Sequence, residues 1–394
     1  MKICLLTARV PPLRCGVGDY TIQLGNKLAS RGDEVVLLTT QDQAGVVPTA
    51  DFEVRNTLPA WGARGMSALW REIHSIRPDV ILVQWVPFLY SRTGTNLSFP
   101  LTVAGLAAKG FRVQLMVHEP WVSFIWWSYF LTGPVQRLAL GILVSASRQV
   151  GVSITPWRDL LRARMPWKKH DIHYVPIGSN IPVVRHPSPQ ALRRQLGIPA
   201  DGLVIGVFSL YGAAKAFSSI ESAWRDLSAR RDDCYLVLVG ASAEEAASVL
   251  PQAARHPRCR VTGYLAAEDV SGWMQTIDLL LAPFSDGMSS RRTSVMAALA
   301  HGVPVVTTRG RLTDAAEFDR SPLILSDLSD EAFSRAVSDL CDDAAQRSRM
   351  AAAAPAFYEQ HFGWGMIAER LIPGDDRRSA LAARGASAAL HRGR

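Results

Sequence analysis

Short apolar, β-branched segments alternate with amphipathic helical stretches along most of this chain. The alternation runs twice, with one proline-rich stretch between the two runs. Strands buried on both faces read as continuous Val/Ile/Leu runs, so the pattern dictates parallel sheets with helical crossovers. In the first run, strands are expected over 2–7, 34–39, 80–84, 112–117, 150–155 and 173–176, and helices over 20–31, 66–76 and 96–108. Gly32 and Gly110 supply helix stops. From Pro176 to Pro199 there are five prolines, with Gly178 and Ser179, which is a linker composition. The second run has strands over 204–208, 235–240, 260–262, 279–282 and 303–307, and helices over 219–229, 242–254 and 293–300. The fold class is α/β, with two Rossmann-like parallel-sheet domains of similar size. A length of 394 residues suits such a pair. Ligands of open parallel sheets lie beyond the carboxyl ends of the strands, and a cleft between two such domains is a favoured site.

Composition narrows the function classes. Hydrophobic residues at 48% and charged residues at 20% exclude a disordered chain. The five cysteines are widely spaced with no Cys-x-x-Cys pair, which argues against a disulfide scaffold or structural zinc and for a reducing cytoplasm. The opening apolar run is cut by Arg9 and reads as a first strand rather than a secretory signal. No stretch reaches the roughly 18 apolar residues of a spanning helix. The nearest, 121–136, carries Gly133-Pro134 and stops at Arg137. Residues 1–180 hold 19 Lys and Arg against 11 Asp and Glu, whereas the remainder holds 24 of each, so the whole net charge of +8 sits in the first half. That asymmetry suits an anionic partner, a membrane surface or a phosphorylated substrate, as well as plain solubility charge. A nucleic-acid partner is disfavoured, because the basic residues form no recognised module.

Four segments fall where strand ends meet a ligand. After the first strand, Gly16 and Gly18 precede a helix, which lets backbone N–H groups approach an anion or simply shapes a tight turn. Thr21 stands where a dinucleotide fingerprint needs its third glycine, which disfavours an oxidoreductase. His118 and Glu119 end the 112–117 strand, where an imidazole can hydrogen-bond a substrate hydroxyl or serve as a structural cap. Lys215 follows the first strand of the second run across a Gly-containing loop, within reach of phosphate oxygens. The fourth segment is the most informative. Asp286, Gly287, Met288, Ser289, Ser290, Arg291, Arg292 and Thr293 link a buried strand to a helix, followed by His301-Gly302-Val303-Pro304. Two arginines in a first helical turn oppose the dipole unless an anion lies beside them, so the loop reads as a diphosphate cradle. The plainer reading is N-capping by Ser289 or Ser290 with solvent-facing arginines.

At this fourth segment the chain resembles the retaining glycosyltransferases of family 4 (glycosyl transferases group 1), which have the GT-B fold. The stretch 278–308 resembles that family's donor-site strand, loop, helix and Gly-x-Pro-Val-Val strand. Gly-Val-Gly-Asp-Tyr at 16–20 resembles its N-terminal glycine-rich loop, and His118 falls on its strand-end histidine. Residues 177–182 resemble its pre-hinge motif, 261–265 the segment whose backbone holds the nucleotide base, and 357–371 its last helices. The resemblance covers about residues 1–372 in order.

It implies an acceptor-binding domain over 1–183 and a nucleotide-sugar donor domain over 184–355, facing each other across a cleft. Helices over 356–373 would cross back to the first domain, and 374–394, rich in Ala, Arg and Ser, is expected to be disordered. It further implies retaining sugar transfer to a lipid-linked or polysaccharide acceptor, with no cofactor and no metal. His118 and Asp286 would be catalytic. Gly16, Gly18, Lys215, Tyr264, Leu265 and residues 287–293 would bind the donor. The family's Glu-x7-Glu pair is absent, its two positions falling on Asp286 and Ser294, and the Arg often found six residues before the Lys is Ser209 here. This departure leaves a second reading open, a non-catalytic GT-B subunit that binds nucleotide or glycan and supports a partner enzyme.

Asp19, Glu119, Trp121, Trp126 and Trp127 are candidates for contact with the acceptor or a membrane. Beyond the tryptophans come Arg137, Arg148, Arg158, Arg162, Arg164, Lys168 and Lys169, and from Val144 to His170 the only acid is Asp159. Aromatics beside basic groups fit a segment resting in an anionic membrane interface, or tryptophans that fill the core or stack on sugars. The expected location is the cytoplasm, peripherally on the inner face of the cell membrane, in exopolysaccharide or lipopolysaccharide synthesis.

Overall fold

A computed structural model describes residues 1–13, 15–43, 50–121, 127–210 and 214–374. It divides into two compact units, Met1–Ile177 with the chain from Trp364 onward, and Gly178–Gly363.

The first unit runs β1 (Lys2–Leu6), α1 (Gly16–Ser30), β2 (Glu34–Thr40), β3 (Glu53–Leu58), α2 (Ala63–Ile76), β4 (Val80–Trp85), α3 (Ser98–Ala108), β5 (Val113–Val117), α4 (Trp127–Ala146), β6 (Gln149–Val152), α5 (Thr155–Arg164) and β7 (Ile172–Tyr174). The second runs α6 (Pro189–Gln195), β8 (Leu203–Phe208), α7 (Phe217–Arg230), β9 (Cys234–Val239), α8 (Ala243–Val249), β10 (Cys259–Val261), α9 (Ala267–Met274), β11 (Leu279–Ala282), α10 (Thr293–Ala300), β12 (Val305–Thr308), α11 (Ala315–Phe318), β13 (Ile324–Ser326), α12 (Asp330–Asp342) and α13 (Ala344–Phe362). A last helix, α14 (Trp364–Leu371), belongs to the first unit.

Each unit is built on one parallel sheet. The first has seven strands in the order β3-β2-β1-β4-β5-β6-β7, the second six in the order β10-β9-β8-β11-β12-β13. Alternate side chains of each central strand enter different cores. In β4, Ile81, Val83 and Trp85 pack with Leu69 and Ile73 of α2, Phe99 of α3 and Leu140 of α4. Val80 and Leu82 pack on the opposite face with Tyr20, Leu24 and Leu28 of α1 and with Ile367 and Leu371 of α14. Tyr20, Leu24 and Leu28, spaced four apart, are the inward stripe of α1. In the second unit, α7 and α12 cover one face of the sheet, and α9, α10 and α13 cover the other.

Strand order reverses between β1 and β4 in the first sheet, and between β8 and β11 in the second. Crossovers depart to opposite faces at such points, which opens a crevice at the strands' carboxyl ends.

Eight elements were not among those expected: β3, α4, α5, α6, α9, α11, β13 and α12. β3 is an edge strand with a mostly half-exposed Glu-Val-Arg-Asn-Thr-Leu sequence, so it lacks the apolar run of a central strand. In α4, Gly133-Pro134 marked a break in the sequence, yet Pro134 lies inside the helix. α5 buries a single apolar residue, Leu161, and gives a weak signal, whereas α12 carries Phe333, Val337, Leu340 and Cys341 at helical spacing, a stripe present in the sequence but outside the expected elements. The first unit ends at Ile177, six residues before the expected boundary, because Ile181 enters the second unit's core and the Ser179 N–H donates to the Tyr358 hydroxyl at 2.9 Å. At the other end, Ala354, Tyr358 and Phe362 keep α13 in the second unit, so the return begins at Trp364 rather than at residue 356.

Candidate functional site

In the first unit, the carboxyl ends of β1, β4 and β5 gather a polar cluster on the face covered by α1 and α14. The imidazole of His118 is buried, with Nε2 2.8 Å from Gln84 Oε1 at the end of β4. With the amide oxygen toward the ring, Nε2 carries the proton and Nδ1 is the acceptor. Burial pushes the imidazole down to about 3, so it is neutral throughout the physiological range. Its backbone is fixed on both sides. The His118 N–H donates to Trp85 O at 3.0 Å, and the Ser153 hydroxyl donates to His118 O at 2.9 Å. The Tyr20 ring meets the imidazole edge-on at 4.7 Å and Trp364 of α14 at 5.1 Å.

The two glycines before α1 differ. Around Gly16 a Cβ would meet nothing within 4 Å, so this position is open to a ligand. At Gly18 a Cβ would lie 2.5 Å from Arg9 O, so its missing side chain is used by the protein's own backbone. The residue that precedes α1, Cys15, makes no side-chain capping hydrogen bond. Asp19 and Glu119 are half-buried, as is Trp121, whose ring lies 5.0 Å from the Arg137 guanidinium carbon. Trp126 lies outside the described residues, and Trp127 opens α4.

The second unit holds the denser cluster, at the carboxyl ends of β8 and β11. Lys215 forms an antiparallel bridge with Phe284, flanked by Ala216 N–H to Pro283 O at 3.1 Å and Ser285 N–H to Ala214 O at 2.7 Å. The bridge carries the Lys215 side chain inward, where it is 7% exposed. Its ammonium donates to Phe208 O at 2.9 Å and Ser209 O at 2.5 Å. Ser209 has φ +62°, a left-handed conformation costly for a residue with a Cβ. Burial, with Arg292 second, lowers the ammonium to about 7. Tyr211, Gly212 and Ala213 lie outside the described residues.

The arginines at the start of α10 do not face solvent. Arg292 pairs with Asp286 and stacks 4.2 Å above Phe284, and Arg291 approaches Asp286 at 3.7 Å. The residue that precedes the helix is Arg292, whose side chain makes no capping hydrogen bond. Ser289 and Ser290 are buried, and the Ser289 hydroxyl has no partner among the described residues. When Lys215 is protonated, it and Arg291 and Arg292 against Asp286 leave an excess of two positive charges.

Two glycine-loop residues serve the fold. Gly287 has φ +96°, and a Cβ there would lie 2.4 Å from Gly310 N. Met288, expected at the donor, is fully buried in the core. Its N–H donates to Thr308 O and its carbonyl accepts from Asp314 N–H, so neither backbone group is left for a ligand. Thr293 is half-buried at the first position of α10. At the end of β10, Leu265 packs against the core while Tyr264 is exposed, its hydroxyl donating to Glu245 Oε1 at 2.5 Å.

Sequence reasoning missed Gln84, Tyr20, Ser209 and Phe284. Gln84 had a signal, a lone amide closing the otherwise apolar Val-Ile-Leu-Val-Gln-Trp strand. The left-handed turn at Ser209 and the Phe284 platform have none, since both arise from the bridge between segments 69 residues apart in the chain (Lys215 and Phe284).

Residues 202–343, within the second unit, match the family model described as Glycosyl transferases group 1. A search of curated proteins by sequence gives no match. Among solved structures, the chain is similar to a sucrose-phosphate synthase from Thermosynechococcus elongatus, with TM-score 0.71 and 18% identity over 97% of this chain and 99% of that one. It is similar to Anabaena Alr3699/HepE in complex with UDP and glucose, with TM-score 0.69 and 16% identity over 97% of this chain and 100% of that one. It is also similar to WaaG, a glycosyltransferase involved in lipopolysaccharide biosynthesis, with TM-score 0.65 and 14% identity over 94% of this chain and 100% of that one. At these identities the likeness shows the fold, which is GT-B.

Proposed function

We propose that this GT-B chain is a glycosyltransferase that takes a sugar from a uridine-diphosphate sugar and transfers it, with retention and without a metal, to a lipid-linked or polysaccharide acceptor. The group 1 match over residues 202–343 supports the transferase class. One observation carries the donor: a buried ammonium, Lys215, hydrogen-bonded to two carbonyls and set among Arg291, Arg292 and Asp286. A buried cation lacking its own carboxylate is costly, and an anionic ligand relieves that cost. With Lys215 protonated, the excess of two positive charges matches the charge of a nucleotide-sugar diphosphate. The uridine nucleotide is supported by the HepE structure, which holds UDP and glucose.

In this reading Lys215, Arg291 and Arg292 hold the diphosphate and take up the negative charge that grows on it as the sugar leaves. The backbone near Gly16 approaches the donor, and that of Tyr264 and Leu265 holds the base. His118, neutral and held by Gln84, presents Nδ1 to a hydroxyl of the transferred sugar. Asp286, oriented by the arginines, accepts a second sugar hydroxyl. The acceptor meets the first unit near Asp19, Glu119 and Trp121, at the inner face of the cell membrane. Support for that setting comes from WaaG's part in lipopolysaccharide biosynthesis and from the basic excess of the first half. No described helix is long and apolar enough to cross a membrane.

Two features favour the non-catalytic alternative: Asp286 is engaged by two guanidinium groups, and Ser294 stands where the resemblance places a carboxylate. Calorimetry against UDP-, GDP-, ADP- and CMP-sugars, followed by a nucleotide-release assay, separates the two. Binding with turnover supports the transferase, binding without turnover the alternative. Loss of binding in Lys215→Ala is expected in either case, and unchanged binding in that variant refutes the donor assignment.

A further inference from the structure

Away from the strand ends, the first unit carries an open groove of about 780 Å³ between α3, α4 and the turn after α5. Its walls are Ala104 and Ala107 of α3, Leu138 and Ile142 of α4, and Met165 and Trp167. The small residues of α3, with Gly141 of α4, hold the two helix surfaces back and make the depression. A Cβ on Gly141 would meet nothing within 4 Å. Leu138 is 54% exposed, Trp167 66%, and Leu101, one turn before Ala104, 57%. Large apolar side chains grouped around a groove, rather than scattered singly, mark an interaction surface.

The same groove is lined by Arg137 and Arg164. Burial and the neighbouring Arg164 together hold the Arg137 guanidinium below its ordinary value, so the two like charges feel each other. From residue 98 to residue 170 the chain has nine Lys and Arg but only two acids, Glu119 and Asp159, and Asp159 is paired with Arg158. An occupant must therefore be apolar along its length and anionic at one end.

We infer that this groove seats one anionic phospholipid of the membrane, its phosphate between Arg137 and Arg164 and an acyl chain along the α3–α4 floor. Trp167 stands at the rim, where an amphipathic ring favours the headgroup level. Guanidinium forks match phosphate oxygens in pairs, which makes two arginines a better phosphate seat than two lysines. A groove of this size lies within the range of small-molecule binding pockets, on the order of 300–1,000 Å³. The inference deepens the proposed membrane setting of the first unit and does not depend on sugar transfer.

The test is co-sedimentation of the full chain with phosphatidylcholine vesicles containing 30% phosphatidylglycerol, beside vesicles of phosphatidylcholine alone. Binding to the anionic vesicles only is expected. Arg164→Glu, at an exposed position, should lower it at least tenfold. Gly141→Leu fills the groove without changing charge and should lower it at least fivefold, with thermal melting confirming that the variant is folded. Dihexanoyl phosphatidylglycerol should compete and glycerophosphoglycerol, which lacks the chains, should not. Equal binding by Gly141→Leu, or equal competition by the chainless headgroup, would show charge attraction without a seated lipid and overturn the inference. Absence of vesicle binding would overturn it as well. Calorimetry with UDP-glucose on the same sample keeps the two readings apart, since the donor residues lie in the second unit and lipid binding requires none of them.

Discussion

Donor binding should be linked to a proton on Lys215, and the structure sets the size of the effect. In the free protein this ammonium titrates at about 7, because burial and Arg292 both disfavour its charge. A diphosphate beside it favours the charged form and raises that value. Binding therefore takes up a proton wherever the free lysine is neutral and the bound one is not. If the bound lysine stays charged through pH 8.5, Kd should rise about 25-fold from pH 6.5 to pH 8.5, the ratio of the protonated fractions of a group titrating at about 7. At pH 8.0 about 0.9 proton should be absorbed per nucleotide sugar bound. A nucleotide sugar is the right probe because its diphosphate diester does not itself titrate in this range. Isothermal calorimetry in two buffers of different ionisation enthalpy reads the proton directly. Lys215→Met should weaken binding and abolish both the pH slope and the proton uptake. A Kd constant within twofold across the range, with no buffer dependence, would refute the reasoning, because the anion would then not be near Lys215.

Lys215 also shapes stability without ligand. Its folded value lies below the ordinary one of 10.5, so the unfolded chain binds the extra proton between about 7 and 10.5, and stability rises with pH across that window. Lys215→Met should raise Tm at pH 7 and flatten the rise. Gly18→Ala should destabilise by about 1–3 kcal/mol, as overpacking against backbone does, while Gly16→Ala should melt like the parent and bind the donor more weakly, both read by denaturant titration and calorimetry. Asp286→Asn removes the carboxylate charge beside Arg291 and Arg292, so UDP should bind at least as tightly while turnover falls at least tenfold; turnover unchanged from the parent would remove Asp286 from the assigned role. Turnover should show no inflection from His118 between pH 5 and 8, since its imidazole titrates at about 3, and His118→Ala should lower kcat more than it changes donor Kd.

The sequence displays what repeats and hides what depends on folding. Apolar runs such as Val80–Trp85 and the four-residue stripe of α1 are visible because burial on both faces, or on one stripe, leaves a periodic record. β3 is invisible because an edge strand needs no such record. Residue types at the site were also legible: His118, Lys215 and the Arg291-Arg292 pair stand beside strand ends and helix starts. Their partners were not. The Lys215–Phe284 bridge joins distant segments, and the arginines find Asp286 where the sequence suggested only a ligand. Gly18, Gly287 and Met288 carry the motif's pattern for internal reasons, a close backbone approach or a core position. The motif thus includes residues whose pattern is accounted for by the loop's own packing, which spacing alone does not reveal.

A crystal structure of the chain soaked with a uridine-diphosphate sugar would show where the diphosphate sits. Diphosphate oxygens are expected within hydrogen-bond distance of Lys215 Nζ and of the Arg291 or Arg292 guanidinium, with the base against the backbone of Tyr264 and Leu265. A diphosphate bound elsewhere, with Lys215 still held only by the Phe208 and Ser209 carbonyls, would contradict the donor assignment.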